Sequence, residues 1–367
     1  AITFQGSAHD VEDGFLTGAS LVWISSIDGR IGTGESFTKN DLSVGTHTIT
    51  LTARDSQGAT GIDNIIIIVR SQEWFGTVYI RADGSIDPPD APLITLDRIT
   101  YTLTANIAST NDGIIIERDN IVIDGAGHRL RGTGIFKGIN MSGRSNITLR
   151  NIKVENYYYG VYASNSSNNT ISYCTLSYNF CGIRLEHNSN HYTISNCTIS
   201  SNRWGFHAWY SHYHILKDNI IRDNFWGIIF DTSHNNVLTN NIMINDGVIL
   251  VGIAAEESID IMDETNTVNG KPVYYYQNRV GGKVPEGAGL IILVKCNNME
   301  VENQDLSNTD VGIMLLLSNN NNIKNVTANS NDLAGIWLSY SYNNIIHKNV
   351  TMNNQWYGMY LWASRYN

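Results

Sequence analysis

Four lines of the sequence decide the fold when set one above another: NYYYGVYA at 156–163, NFCGIRL at 179–185, NRWGFHA at 202–208 and NFWGIIF at 224–230. Each places an Asn three or four residues before a Gly and an alternating apolar triplet after it. NTDVGIML at 308–315, NDLAGIWL at 331–338 and NQWYGMYL at 354–361 join the same alignment. The glycines fall at 138, 160, 182, 205 and 227, then at 312, 335 and 358, in steps of 22 or 23 within each run. That period is too short for two helices, and no heptad or helical spacing accompanies it. Three short strands and three bends fit it, which is one turn of a parallel β-helix. All five Pro lie outside the repeats, as a continuous ladder of backbone hydrogen bonds demands. A second column, eight to ten residues before each Gly, holds Asn151, Cys174, Cys197, Asn219, Asn325 and Asn349. Asn repeated at one coil position is expected to stack and hydrogen-bond along the axis, a structural role.

The first 70 residues read differently. SLVWISSIDGRIGTGESF and VGTHTITLTARDSQGATGIDNIIIIV alternate apolar and polar residues, with turns at Asp28–Gly29 and Ser56–Gly58. This predicts a β-sandwich of about seven strands over 1–70. SQEWFG at 71–76 is the expected linker, and a parallel β-helix should occupy 77–367. Residues 246–298 interrupt the repeats with AAEESIDIMDE and GKPVYYYQNRVGGKVPEGAG, and are expected to protrude or form a long loop.

Composition excludes several classes. Hydrophobic residues make up 42%, so the chain is not disordered. A net charge of -10 argues against nucleic acid as a partner. The longest apolar run, IIIIV at 65–69, is the length of a strand, not of a membrane span. Asn140, Asn146, Asn165, Asn168, Asn196, Asn325 and Asn349 head glycosylation sequons, which fits a secreted glycoprotein. The first residue is Ala, not Met, as expected of a chain that is processed, with a signal peptide lost upstream, or trimmed. Cys174 and Cys197 share a column within reach of a disulfide, or stand as two free thiols; Cys181 and Cys296 have no evident partner.

HDVEDG at 9–14 and HTITLTARDSQGATG at 47–61 resemble PKD-like and Ig-like modules of secreted surface proteins. IRADGSIDPPDAPL, ERDNIVIDGAGHRLRGTG, TVNGKPVYYYQN, VPEGAGLIILVKCNNMEVEN and the coils resemble the NosD-like right-handed β-helix proteins, especially those of archaeal surfaces. The resemblance implies an all-β fold, with a sandwich followed by a right-handed coil, and an exported protein. It does not imply one activity. Periplasmic proteins named for copper, surface-layer components, adhesins and carbohydrate-active enzymes share the repeat.

Counting from each Gly, positions +1 and +3 should point inward and +2 and +4 outward. Position +2 reads Tyr162, Arg184, His207, Ile229, Met314, Trp337 and Tyr360; position +4 reads Ser164, Glu186, Trp209, Asp231, Leu316, Ser339 and Trp362. Three readings of this face stay open. Tyr162, His207, Trp209, Trp337, Tyr360 and Trp362 would stack on a cell-surface polysaccharide or bury against a partner. Glu186 and Asp231, two coils apart, would act as paired carboxylates in a polysaccharide hydrolase or lyase, with Arg184 and His207 beside them. His191, His212, His214 and His234 would form a patch suited to Cu(II) or Zn(II), a third reading that the NosD-like resemblance favours. In the N-terminal module, Asp10, Glu12, Asp13 and Asp55 would offer oxygen ligands to Ca²⁺, or serve as turn residues. The expected function is that of a non-catalytic surface glycoprotein, self-assembling into a layer or filament or adhering to glycans. No cofactor is required by it. The final triplet MYL at 359–361 leaves an open coil end, so either the native chain continues or a partner is expected to cover it, for which the N-terminal module of a second copy would serve.

Overall fold

A computed structural model of the chain describes residues 1–69, 73–252 and 260–367. They fall into two compact all-β units, Ala1–Gln72 and Glu73–Asn367. The only helical element among them is the short 3₁₀ turn Gly18–Ser20, so no described helix is long and apolar enough to cross a membrane.

In the first unit, Gly29–Thr33, Leu21–Ser25, Gly45–Arg54 and Thr60–Val69 form a four-stranded antiparallel sheet. Ile2–Gln5 pairs with Ser36–Lys39, and Ala8–Asp10 with Gly14–Leu16. Phe4, Leu21, Trp23, Ile31, Ile49 and Leu51 fill the core. Trp23 meets the polar requirement of its indole by donating to the Gly34 carbonyl at 3.0 Å.

The second unit is a coil with three faces. The first face carries the glycine column: Lys137–Asn140, Tyr159–Ser164, Cys181–Glu186, Trp204–Trp209, Trp226–Asp231 and Val248–Val251 run parallel, one per coil. The second runs from Thr100–Leu103 to Ile261–Met262, and the third from Trp74–Phe75 to Thr267–Val268. The register is the one the repeat implies: Tyr162, Arg184, His207 and Ile229 are successive neighbours, as are Ser164, Glu186, Trp209 and Asp231. Ile183, Leu185, Phe206, Ala208, Ile228 and Phe230 point in and are fully covered. The glycines are needed because the coils touch there. A Cβ on Gly160, Gly182 or Gly205 would lie 2.6, 2.6 or 2.5 Å from the carbonyl oxygen of the next coil's glycine.

The asparagine columns are ladders, with one correction. Asn179, Asn202 and Asn224 stack inside the coil. The side-chain amides of Asn179 and Asn202 donate to the next Oδ1 at 3.1 and 3.0 Å and to a strand carbonyl, while Oδ1 of Asn202 and Asn224 takes the backbone N–H of the coil before. Every polar group is thus satisfied where water cannot reach. The second column, however, joins two adjacent positions. Cys174, Cys197 and Asn219 belong to the buried ladder, continued by Asn241 and Asn266. Asn151 and Asn325 sit one place earlier, exposed, with φ of 54° and 52°, Asn151 at a bend and Asn325 within the strand Asn322–Thr327. Asn suits both places for different reasons: its short side chain tolerates left-handed backbone. Cys174 and Cys197 are free thiols, each turned toward a backbone carbonyl instead of bridged.

The described part of 246–298 is not a loop. Gly247 continues the glycine column, with its carbonyl accepting from Ile228. After Thr267–Val268, Asn269 and Gly270 take φ of 51° and 76°, and Lys271–Gln277 returns antiparallel. Two adjacent residues with positive φ make the tight hairpin whose twist suits strands. A second coil segment then grows from Lys271–Gln277 through Leu290–Val294, Val311–Leu316, Ala334–Ser339 and Tyr357–Trp362. Its opposite sheet holds Val280–Lys283, Asn297–Asp305, Asn322–Thr327 and Ile345–His347. The acidic run at 254–264 lies partly outside the described residues.

The second segment has its own interior, Ile291, Leu293, Ile313, Leu315, Ile336 and Leu338. Its outward side packs on the first segment: Val273, Leu290, Ile292, Val311, Met314 and Leu316 join one cluster with Ile229, Ile249 and Leu250. Leu290–Val294 is therefore buried on both faces, which is why it reads as an unbroken apolar run.

Candidate functional site

The seam between the segments opens into a cleft of about 810 Å³. Trp226, Ile229 and Ile249–Gly252 line it from the first segment. Leu316, Leu333, Trp337, Ser339, Tyr340, Trp356, Tyr357, Tyr360 and Trp362 line it from the second. Trp356 and Trp362 are 50% and 54% exposed, so broad ring surface faces solvent. Trp226 meets Trp356 with ring centres 5.6 Å apart, Tyr357 stacks on Tyr360 at 4.6 Å, and Trp337 meets Tyr360 edge-on at 5.4 Å. The indole N–H groups of Trp226 and Trp337 find no acceptor among the described residues.

The six aromatic positions expected to form one face divide. Trp337, Tyr360 and Trp362 lie in the cleft. Tyr162, His207 and Trp209 belong to earlier coils and a polar network. Tyr162 donates its hydroxyl to Glu186, Arg184 Nε donates to Glu186 Oε2 at 3.0 Å, and an Arg184 N–H donates to His207 Nδ1. Trp204 packs edge-on against His207 and stacks on Trp226 at 5.9 Å with rings parallel to within 1°. Burial, with the neighbouring Arg184 charge, pushes His207 down to about 3, well below the range a general acid or base uses near neutral pH. Burial and the Glu186 contact push Tyr162 up to about 12. Glu186 and Asp231 flank Trp209 in one column, about 9.6 Å apart by strand spacing, with Glu186 committed to Tyr162 and Arg184.

The four histidines do not assemble. His212 and His234 approach to 4.0 Å between ring centres, His191 stacks on Tyr213, and His214 turns into the core. Burial pushes His214 down to about 3, and its Nδ1 accepts from Tyr192 N–H at 3.3 Å. In the N-terminal unit the acidic residues cap turns. Asp10 accepts from the N–H groups of Glu12 and Asp13, which lower its pKa, Asp13 from Ser56, and Asp55 from Ala59. Among the described residues no group of three or more His, Cys, Asp or Glu is placed to hold a metal ion. Of the sequon residues, Asn146, Asn165, Asn168, Asn196 and Asn325 are exposed, while Asn140 and Asn349 are half-buried.

A buried carboxylate group joins the two segments beside the cleft. Asp310 Oδ2 accepts from the N–H groups of Gly227 and Gly247, both at 2.9 Å. Asp246 stands where the ladder would have Asn, accepting from Asn224 N–H and Nδ2 at 3.1 and 2.7 Å. Thr309 Oγ1 donates to the Asp246 carbonyl at 3.2 Å. Burial pushes Asp310 up to about 7, burial with the Asp310 charge pushes Asp246 up to about 9, and burial raises Asp332 to about 6. The missed signals were the Asp replacing Asn at 246 and Trp356 in NQWYGMYL.

A family model described as "Right handed beta helix region" matches residues 137–292 and 285–366, and one described as "Periplasmic copper-binding protein (NosD)" matches 34–194. The residues of that second span do not fit a copper centre. His187 packs on Trp209, His191 on Tyr213, and the thiols Cys174 and Cys181 are buried against carbonyls. No curated protein matches the sequence. Solved structures with a similar course include the Azotobacter vinelandii mannuronan C-5 epimerase AlgE6 A-module, at 13% identity over 72% of this chain and 88% of that one, with a TM-score of 0.36. The catalytic unit of a GH87 alpha-1,3-glucanase from Streptomyces thermodiastaticus is 12% identical over 99% and 88%, TM-score 0.40. A Yersinia enterocolitica family 28 exopolygalacturonase is 11% identical over 97% and 95%, TM-score 0.34.

Proposed function

The chain belongs to the right-handed β-helix family, and from that premise we propose that it is an exported glycan-binding protein whose site is the aromatic cleft between its coil segments. One observation carries this reading: a concave, open surface with several partly exposed Trp and Tyr rings around an apolar floor. Such rings bind the C–H face of a sugar while hydroxyls and indole N–H groups take its polar edge. The cleft volume lies within the usual range of ligand sites, roughly 300–1,000 Å³.

The same observations weigh against the other readings. The outward apolar column suggested an interface between copies, but Ile229 and Met314 are covered by the chain itself, 4% and 0% exposed. Catalysis would need a free carboxylate pair. Glu186 is held by Arg184 and Tyr162, and no carboxylate lines the cleft among the described residues. The description of the second matching family and the exposed sequons favour a periplasmic or extracellular place.

The test is affinity electrophoresis of the purified chain through gels containing a panel of polysaccharides, with a reducing-sugar assay alongside. Retarded migration on at least one polysaccharide is expected, without release of new ends. The variant Trp356→Ala/Trp362→Ala should lose at least about tenfold in affinity, since each stacked ring contributes on the order of 1 kcal/mol. Free migration on every polysaccharide would remove the reading, and release of new ends would make the protein an enzyme.

A further inference from the structure

We infer that the cleft takes an uncharged polysaccharide, a neutral chain of pyranose rings with equatorial hydroxyls, and excludes uronate or sulfated chains. The inference rests on the glycan-binding reading and narrows it. Its observation is the cleft lining. Among the described residues every side chain there is aromatic, aliphatic or hydroxyl-bearing; no Arg, Lys or His takes part.

Charge decides the class. A uronate chain carries a carboxylate on every ring. Bound in this cleft, those carboxylates would lose water and gain no cation, and burying an unpaired charge costs far more than stacking returns. The charge of the chain adds repulsion. The whole chain carries a net charge of -10. Where proteins bind anionic groups they supply paired Arg or Lys; on the neighbouring coils Arg184 holds Glu186, and Arg203 lies over the rings of Phe180 and Phe225.

The polar groups present suit a neutral sugar. Ser339, Tyr340, Tyr357 and Tyr360 offer hydroxyls. A sugar hydroxyl both donates and accepts, so it satisfies such a mixed set without charge. Trp356 and Trp362, half exposed, present flat faces. A pyranose with equatorial hydroxyls lays its axial C–H groups on such a face, whereas an axial hydroxyl lifts the ring away. A fatty chain would want an enclosed tunnel, not exposed rings.

Isothermal titration separates these possibilities. Neutral glucan oligosaccharides of several linkages are titrated into the full chain, each paired with its C6-oxidised form, which differs only by carboxylate for hydroxymethyl. We expect at least one neutral member to bind, its oxidised partner to bind at least tenfold more weakly, and the neutral affinity to change less than twofold between low and high salt. Trp362→Ala, checked for an unchanged circular dichroism spectrum, should weaken the neutral ligand about tenfold. Equal or tighter binding of an oxidised form, or affinity that falls with salt, overturns the neutral assignment while leaving glycan binding intact. Displacement of a fluorescent fatty acid, with no saccharide bound, overturns both.

Discussion

Two places after the coil glycine, the first segment presents Tyr162, Arg184 and His207, joins them through hydrogen bonds and ring contacts, and leaves Tyr162 half-exposed. The second segment presents Met314 at the same place and buries it completely. All four side chains point away from their own coil's interior. What differs between Tyr162 and Met314 is whether another part of the chain covers them. The outward face of a coil is thus not a solvent face by construction. At Ile229 and Met314 it is a second core, and further along the same seam, where covering is incomplete, it becomes the cleft.

The sharpest way to break this comparison is one substitution at both places. Met314→Asp puts an unpaired charge in the seam and should destabilise the fold by about 4 kcal/mol or more, whereas Tyr162→Asp on the half-exposed surface should cost about 1 kcal/mol. Chemical denaturation measures both, and equal losses would mean that the seam is not a core. Next in size is Gly205→Ala. Its Cβ would face a backbone carbonyl at 2.5 Å, which cannot swing aside, so a loss of about 2–3 kcal/mol is expected; an unchanged midpoint would show that the coils can spread.

The carboxylates between the segments give a pH-dependent test. Asp246, Asp310 and Asp332 have folded pKa values raised above their ordinary ones, to about 9, 7 and 6. Their protonated forms suit the fold, so the stability they contribute is full below about pH 4 and is lost as pH rises through these values. Thermal midpoints should therefore fall between pH 5 and pH 9. Asp246→Asn extends the ladder of Asn179, Asn202 and Asn224 and removes the charge. It should stabilise the fold more at pH 9 than at pH 5. A midpoint that rises with pH, or a variant equally shifted at both, contradicts this. The smallest effect on stability should come from Trp362→Ala in the open part of the seam, within about 0.5 kcal/mol, so its loss of ligand would report on the cleft alone.

Much of the first segment was legible because its period is strict. One Gly per coil, with an apolar residue on either side of +2, fixed both register and inward direction. The ladder slipped by one place at Asn151 and Asn325 because a backbone position with positive φ and a buried ladder favour the same amino acid in adjacent positions. The reversal at Asn269–Gly270 hid for another reason: a tight hairpin removes one bend from the count, so Lys271–Val294 fell out of phase and resembled an insertion. The cleft had no local signature. Trp226 and Trp356 are far apart in sequence and touch only because the second segment folds back. Glu186 and Asp231 were correctly placed in one column, but the pattern could not show that Arg184 and Tyr162 hold Glu186.

The two hydrogen bonds to Asp310 also bear on how the molecule comes apart. A plain stack of coils is a one-dimensional array in which each turn needs only its neighbours, so its ends fray and its middle unfolds separately. Asp310 reaches back 83 and 63 positions to Gly227 and Gly247. That closes the array into a ring of contacts. Loosening the last coils then uncovers the seam, and opening the seam frees both segments. Amide exchange across 204–251 and 290–339 should therefore proceed at one shared rate, a single cooperative unit built from a repeat that on its own would have many.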